Sequence, residues 1–366
     1  MSALSRTVGW GLYCTTSWTW CIGMYLPLIL LRDYGWPGFI AFAVPNVIGC
    51  AAFGYVVDRG RSEALRAKLG GAMRAFAVAT ILYQCAFLSW RVAGDPMGPP
   101  AQMMLLGGIA VLFVLLRRAS GSDAVWIAVG VAACAASAWC ALSVGVSRLP
   151  EIAWTGARPA VELAYAAPVI VLGFLACPYL DLTFHRARER SPSRHSFAVF
   201  GVTFALMLGV SAMTFDPSSG DALPLWPVLV QWTAQACATI GMHARELRRG
   251  VLTVALCLLA CAVALWAAPA LFAQGAREPL SVGAEENYLR LLGLYGLVFP
   301  FWLVLRLRGR PPWLAAMAII ACLPFMEAGF VGHRSALLLV PPAVLAVLCV
   351  VPSAHQGRTA RAIPAN

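Results

Sequence analysis

The stretch TTSWTWCIGMYLPLIL, residues 15 to 30, places four hydroxyl side chains, two tryptophans, a tyrosine, a glycine and a proline inside an apolar run. Thr15, Thr16, Ser17 and Thr19 can bond loosened backbone, while Gly23 and Pro27 weaken the helix that carries them. Trp18, Trp20 and Tyr25 offer aromatic faces able to hold an apolar or cationic solute. On an intact helix Trp18 and Trp20 diverge by about 200°, so both reach one cavity only where the segment unwinds, and otherwise they are packing residues. This is the chemistry of binding rather than of bond cleavage.

Other candidate groups are sparse. Ionisable side chains in apolar segments are costly and default to functional candidates; here they are Glu162, with Tyr165 close by, and Glu327, both near segment ends where solvation is the alternative. Gln84 beside Tyr83, and Gln231 with Gln235, are mid-segment amides suited to solute binding or to interhelical hydrogen bonds. The substrate-binding candidates are thus Trp18, Trp20, Tyr25, Gln84, Glu162 and Tyr165, with Glu162 the candidate proton carrier. The five histidines are scattered, and neither they nor the twelve cysteines show zinc-ligand spacing. No metal site is expected.

The elements that must position these groups are membrane helices. Of 366 residues, 60% are hydrophobic and 12% charged, about half the charged fraction of a soluble chain. A bilayer core about 30 Å thick needs about 20 apolar residues per helix. Polar breaks then divide the chain into twelve spans, at 8–30, 37–57, 74–92, 101–117, 124–146, 160–180, 196–214, 224–243, 250–272, 286–305, 312–329 and 335–352. With both termini inside, twenty of the 27 basic residues fall in inner connections, as the positive-inside rule requires. The net charge of +11 follows this alternation and does not gather on one face, so no nucleic-acid partner is implied. No removable signal peptide is read at the N-terminus, and membrane lipids and a small-molecule solute are the expected partners.

Five spans are an odd number, so a second set of five starts from the opposite side of the membrane. That is the inverted-repeat design of secondary transporters, in which matching helices are interrupted near the midplane. The expected fold is an all-α polytopic membrane protein: residues 1–150 as the first repeat, 151–308 as the second, and 309–366 as two accessory helices and a cytoplasmic tail. Helix 1 carries Gly23 and Pro27, and its counterpart, helix 6, carries Pro168, Gly173 and Pro178. Unwinding is expected near Ile22–Pro27 and Pro168–Gly173.

Three stretches, GFLACPYLDLTFHRARERSPSRHSFAVFG at 173 to 201, TTSWTWCIGMYLPLILLRDYGW at 15 to 36 and FAVPNVIGCAAFGYVV at 42 to 57, resemble the sodium:solute symporter family, in the junction of its sixth and seventh core helices and in its first and second helices. They cover under a quarter of the chain. The resemblance implies a broken-helix fold and ion-coupled uptake of a small solute, with Ser17, Thr233 and Thr239 as the ion-binding hydroxyls. Two departures are visible: Asp181 is followed by Leu182 where the family has Gln-Arg, and helix 8 lacks an adjacent Ser/Thr pair. The coupling ion is therefore open between Na+ and H+, with no other cofactor. Asp181 paired with Arg186 is the candidate inner gate, set against a merely solvated positive loop.

The rival expectation is an integral-membrane envelope enzyme of the acyl or glycosyl transferase type, which needs a surface base such as His333 near Arg334 and Glu327. A third is a non-transporting scaffold or sensor on the symporter fold. The abundance of arginine over lysine and the resemblance point to a bacterial inner membrane.

Overall fold

The computed structural model describes residues 2–88, 90–91, 99–119, 121–247 and 281–351. The chain opens with α1 (Ala3–Trp18) and α2 (Cys21–Tyr34), two helices joined across Thr19 and Trp20 with a bend of 60°. The hydroxyl run causes the break. Thr19 Oγ1 donates to Thr15 O at 2.7 Å, Ser17 Oγ to Cys14 O at 3.1 Å and Thr15 Oγ1 to Gly11 O at 3.0 Å. Side chains that compete for carbonyls let the ladder end there. The break thus lies before the expected Ile22–Pro27, and Pro27 sits inside α2.

Then come α3 (Trp36–Val56), α4 (Arg59–Leu88), α5 (Pro99–Ala119) and α6 (Asp123–Val144). Residues 59–73, expected as a loop, are the first half of α4, since the segment EALRAKL is made of strong helix formers. After α6 the chain passes through a short 3-10 turn into α7 (Ala160–Ala176). A second 3-10 turn, Cys177–Leu180, separates α7 from α8 (Leu182–Arg190).

The expected unwinding of helix 6 at Pro168–Gly173 does not occur: both residues lie inside α7, and Ala160–Leu180 forms one span that ends at this turn. Two local features set it. Pro178 has no N–H to continue the helix, and Asp181 caps α8 by accepting a bond from Thr183 N at 2.7 Å.

Next are α9 (Ser196–Met213), a two-residue hairpin pairing Phe215–Asp216 with Asp221–Ala222, and α10 (Trp226–Glu246). The last part holds α11 (Ser281–Gly293), a π turn at Leu294–Val298, α12 (Phe299–Leu307), α13 (Pro312–Met326), and α14 (Val340–Val350). Among the described residues, seven helical segments are long and apolar enough to cross a membrane, and the α1–α2 pair, taken as one span, makes an eighth. Of the other expected spans, 101–117 and 335–352 coincide with shorter apolar helices and 224–243 with α10. The expected span 250–272 lies outside the described residues. The protein is an all-α, multi-pass membrane protein.

α1 packs on α9 and α6, while α7 packs on α3 and on the segment from Leu294 to Leu307. α3 crosses α9, and α10 lies against α4, α5 and α6. Small residues permit the closest approaches. A Cβ on Gly173 would stand 2.8 Å from Tyr295 O, and one on Gly11 would stand 2.8 Å from Ser196 O.

Candidate functional site

The α1–α2 break meets the turn that ends the Ala160–Leu180 span. Thr183 Oγ1, in the first turn of α8, donates to Ser17 Oγ at the end of α1 across 2.9 Å, and both residues are fully buried. Broken helices leave carbonyls and N–H groups that need partners, and neighbouring helices provide them. From α10, Thr239 Oγ1 donates to Thr16 O at 3.0 Å and His243 Nε2 donates to Ser17 O at 3.4 Å. From α4, Gln84 Oε1 accepts from Cys21 N at 2.8 Å, capping α2. Tyr288 OH donates to Cys21 O at 3.0 Å.

Unwinding at Thr19 brings Trp18 and Trp20 edge to face, 5.0 Å between ring centres. Trp20 also meets Phe76 and Tyr295, while Trp18 meets Phe184 and donates from Nε1 to Asn46 Oδ1 at 2.9 Å. The break is therefore enclosed in aromatic rings, whose faces suit apolar or cationic groups.

Within this enclosure several polar atoms have no partner: Trp20 Nε1, Gln84 Nε2, Asp181 Oδ2 and His243 Nδ1. Asp181 is fully buried, and only one of its oxygens is engaged, by Thr183 N and Thr183 Oγ1, each at 2.7 Å. Asp181 thus serves as the helix cap, not as the partner of Arg186 expected from the sequence.

Ion pairs close both ends of the bundle. At the arginine-rich end, Arg186 bonds Glu246, with one contact at 3.0 Å, and lies 3.5 Å from Asp123, which also bonds Arg245. At the opposite end, Arg91 donates to Asp221 at 2.9 and 3.0 Å, and Tyr25 OH donates to the same carboxylate at 3.0 Å. The Arg91 guanidinium lies over the rings of Tyr25 and Trp232 at 4.9 and 5.3 Å. Arg32 adds a two-point bond to Glu285, at 2.7 and 2.8 Å.

Beside the arginine-rich closure, His185 of α8 is buried between Ser62 Oγ at 2.7 Å and Tyr179 O at 3.1 Å. Burial depresses its basicity to about 4, against the pull of Glu189 toward the charged form.

Trp18, Trp20, Gln84, Ser17 and Thr239 converge on the break of helix 1, and Asp181 lies at the turn that ends helix 6. Tyr25 is one and a half turns away, in the Arg91 closure. Glu162 and Tyr165 are not brought to the breaks. They sit at the start of α7, with Tyr165 about 18 Å along the axis from Cys177, and Glu162 lies 3.5 Å from Arg158. Thr233 lies on another face of α10, in an apolar groove with Gly108 and Trp126. Gln235 Nε2 donates to Ser137 Oγ at 3.0 Å and to Ala133 O at 3.3 Å, while its Oε1 has no hydrogen-bond partner among the described residues.

The outer-face residues of the enzyme alternative bond different arginines. His333 bonds Arg158 at 2.6 Å, and Glu327 bonds Arg290 at 2.8 Å. His355 lies outside the described residues.

His243, Thr183 and Arg91 were not among the candidates. A signal existed for the first: His243 follows Thr239 by four residues, which sets both on one face of α10, and they bond consecutive carbonyls of α1. No family model, curated protein or solved structure matches the chain.

Proposed function

We propose that this protein is a secondary transporter that takes up a small solute by alternating access, coupled to an ion. The observation that carries the reading is the break of the α1–α2 span, held against the turn that follows α7 by the bond of Ser17 Oγ with Thr183 Oγ1, inside an aromatic enclosure. A continuous helix needs no such arrangement, whereas the interrupted α1–α2 span exposes polar groups at membrane depth, where a solute would use them.

The packing supports the five-plus-five inverted repeat. In the expected numbering, helix 1 packs on helices 7 and 5 while helix 6 packs on helices 2 and 10, the pairing that a two-fold exchange of repeats requires. Residues 1–150 and 151–308 are then the repeats and 309–366 the accessory part. On this reading the ion pairs at both ends correspond to an occluded state. Opening one while the other holds is the alternation, with the solute entering from the Tyr25 and Arg91 side and leaving past Arg186. The symporter resemblance of the break sequences supports the same assignment.

The test uses purified protein in detergent. Thermal unfolding is followed against sugars, amino acids, carboxylates and nucleobases, each in sodium and in potassium. A ligand at a hundredfold excess over its dissociation constant adds about 2.7 kcal/mol of apparent stability. Stabilising solutes then enter counterflow assays in proteoliposomes. Counterflow of a hit supports transport; stabilisation without counterflow makes the protein a sensor or scaffold.

A further inference from the structure

We infer that the arginine-rich end carries a binding site for an anionic phospholipid, whose phosphate sits among Arg59, Arg188 and Arg194 and whose chains lie along α3 and α9. The inference needs only the membrane class of the protein and stands apart from the transporter reading.

Two spans reach their ends here. α3 stops at Val56 and α9 starts at Ser196, so the residues just beyond them lie at the level of lipid headgroups. Between the α3–α4 and α8–α9 connections is a shallow concavity of about 660 Å³, whose polar lining is Asp58, Arg59, Arg188, Ser193, Arg194 and His195. Its arginines are held by backbone and by a ring. Arg188 Nε donates to Val57 O at 2.7 Å and Arg59 Nη2 to Ser191 O at 2.9 Å, bonds that tie the two connections together, while Arg194 lies over the Tyr55 ring at 5.4 Å.

Positive charge is crowded here without a counter-ion. Among the described residues none of the three arginines forms an ion pair, whereas Arg66, Arg186 and Arg245 at the same end each pair with an acid. The carboxylate in the lining, Asp58, accepts from Arg61 N at 2.8 Å and lies 3.5 Å from Arg61 Nε. Burial and the nearby Arg59 and Arg194 hold the Arg188 guanidinium below its usual basicity, with Asp58 acting the other way. Among the described residues both Nη groups of Arg188, Nε and Nη1 of Arg59 and the whole Arg194 fork have no acceptor, and Ser193 Oγ, which accepts from His195 N at 3.1 Å, keeps its own proton to donate. A phosphodiester presents two oxygens that share one negative charge, and guanidinium forks match that geometry.

Apolar surface continues from the concavity into the membrane, which selects a lipid over a soluble phosphate. Val44, Ile48 and Tyr55 are exposed on one face of α3, at spacings of four and seven, and Val202 and Leu206 are exposed one turn apart on α9. Tyr55 OH lies 3.1 Å from His195 Nδ1, so the α3 stripe reaches the concavity at the start of α9. The exposed apolar face of a membrane span meets acyl chains, and basic pockets between helix ends receive the headgroups of anionic lipids. The positive-inside rule accounts for arginines at this end. It does not account for three that converge on one concavity while the neighbouring acids are paired elsewhere.

The test is thermal unfolding of the full-length protein in neutral detergent, titrated with phosphatidylglycerol, with phosphatidylcholine of the same chains and with glycerol 3-phosphate. The expected result is a rise in the midpoint that saturates with phosphatidylglycerol and is absent with the other two, since a ligand of the folded state raises apparent stability. Arg194→Gln, whose side chain gives up no hydrogen bond among the described residues, weakens the phosphatidylglycerol response about tenfold. Arg188→Gln does the same, and if loss of its bond to Val57 O prevents folding, Arg194→Gln carries the test alone. Arg308→Gln, an exposed arginine of the loop after α12, removes the same charge and leaves the response unchanged. No response to phosphatidylglycerol overturns the proposal. So does an equal response to phosphatidylcholine, which makes the effect a general one of lipid, an equal response to glycerol 3-phosphate, which makes the site one for soluble anions, or an equal loss in Arg308→Gln, which makes the attraction diffuse.

Discussion

Thr183 Oγ1 lies 2.9 Å from Ser17 Oγ, although 166 residues separate them in the chain. Ser17 ends α1 at its break, Thr183 begins α8 after the turn, and each is buried where water cannot substitute. Ser17 Oγ also donates to Cys14 O, and Thr183 Oγ1 also meets Asp181 Oδ1. Thr183 has one proton and two acceptors, so its orientation depends on the charge of Asp181.

Removing either hydroxyl therefore weakens more than a surface contact. Ser17→Ala and Thr183→Val are each expected to lower stability by about 1 kcal/mol. The double variant should lose less than the sum of the two, with a coupling of about 0.5 kcal/mol or more. Thermal unfolding in detergent measures all three, and strict additivity would show that the hydroxyls do not interact.

Charge removal at the arginine-rich closure has a larger effect. The Glu246 side chain is 4% exposed and its main partner is Arg186. Arg186→Leu strands that carboxylate, at a cost of about 3–5 kcal/mol, whereas pairing Arg186→Leu with Glu246→Leu recovers most of the loss. Unfolding midpoints of the singles and the double check this; a double variant worse than both singles would contradict it.

The opposite closure can be opened by one substitution. Asp221→Ala removes the acceptor shared by Arg91 and Tyr25. Cys21 lies behind this closure and is fully buried. N-ethylmaleimide modification of Cys21, followed by peptide mass spectrometry, should become several-fold faster. An unchanged rate would mean that the Arg91 closure does not control access to the break.

His185 makes stability depend on pH. Its basicity is depressed to about 4 by burial, while an unfolded histidine titrates near 6.5. Between these values the unfolded chain binds the extra proton, so stability rises as pH goes from about 4 to about 6.5 and is then constant for this group. The slope is at most about 1.4 kcal/mol per pH unit. His185→Gln should flatten the difference between unfolding midpoints at pH 5 and pH 7; an unaltered difference would assign the effect to other groups.

The membrane class and the positions of the apolar helices were legible in the sequence, because burial in lipid demands long runs of apolar residues whatever the tertiary arrangement. So was the identity of one interrupted helix, since a run of Thr and Ser offers carbonyls an alternative partner wherever it lies. The continuity of helix 6 was not. Pro168 and Gly173 are intrinsic breakers, yet α7 continues through both, and Gly173 instead allows contact with the backbone at Tyr295; the span ends where Pro178 and the cap Asp181 act together. Glu162, Thr233 and Tyr165 had the residue types of a site, but helix rotation and depth decide what a side chain reaches, and they send these three elsewhere. His243 and Thr183 joined the site because α10 and α8 cross the end of α1 there. Residue type fixed what each group could bond, and only the crossing of distant helices decided which of them met.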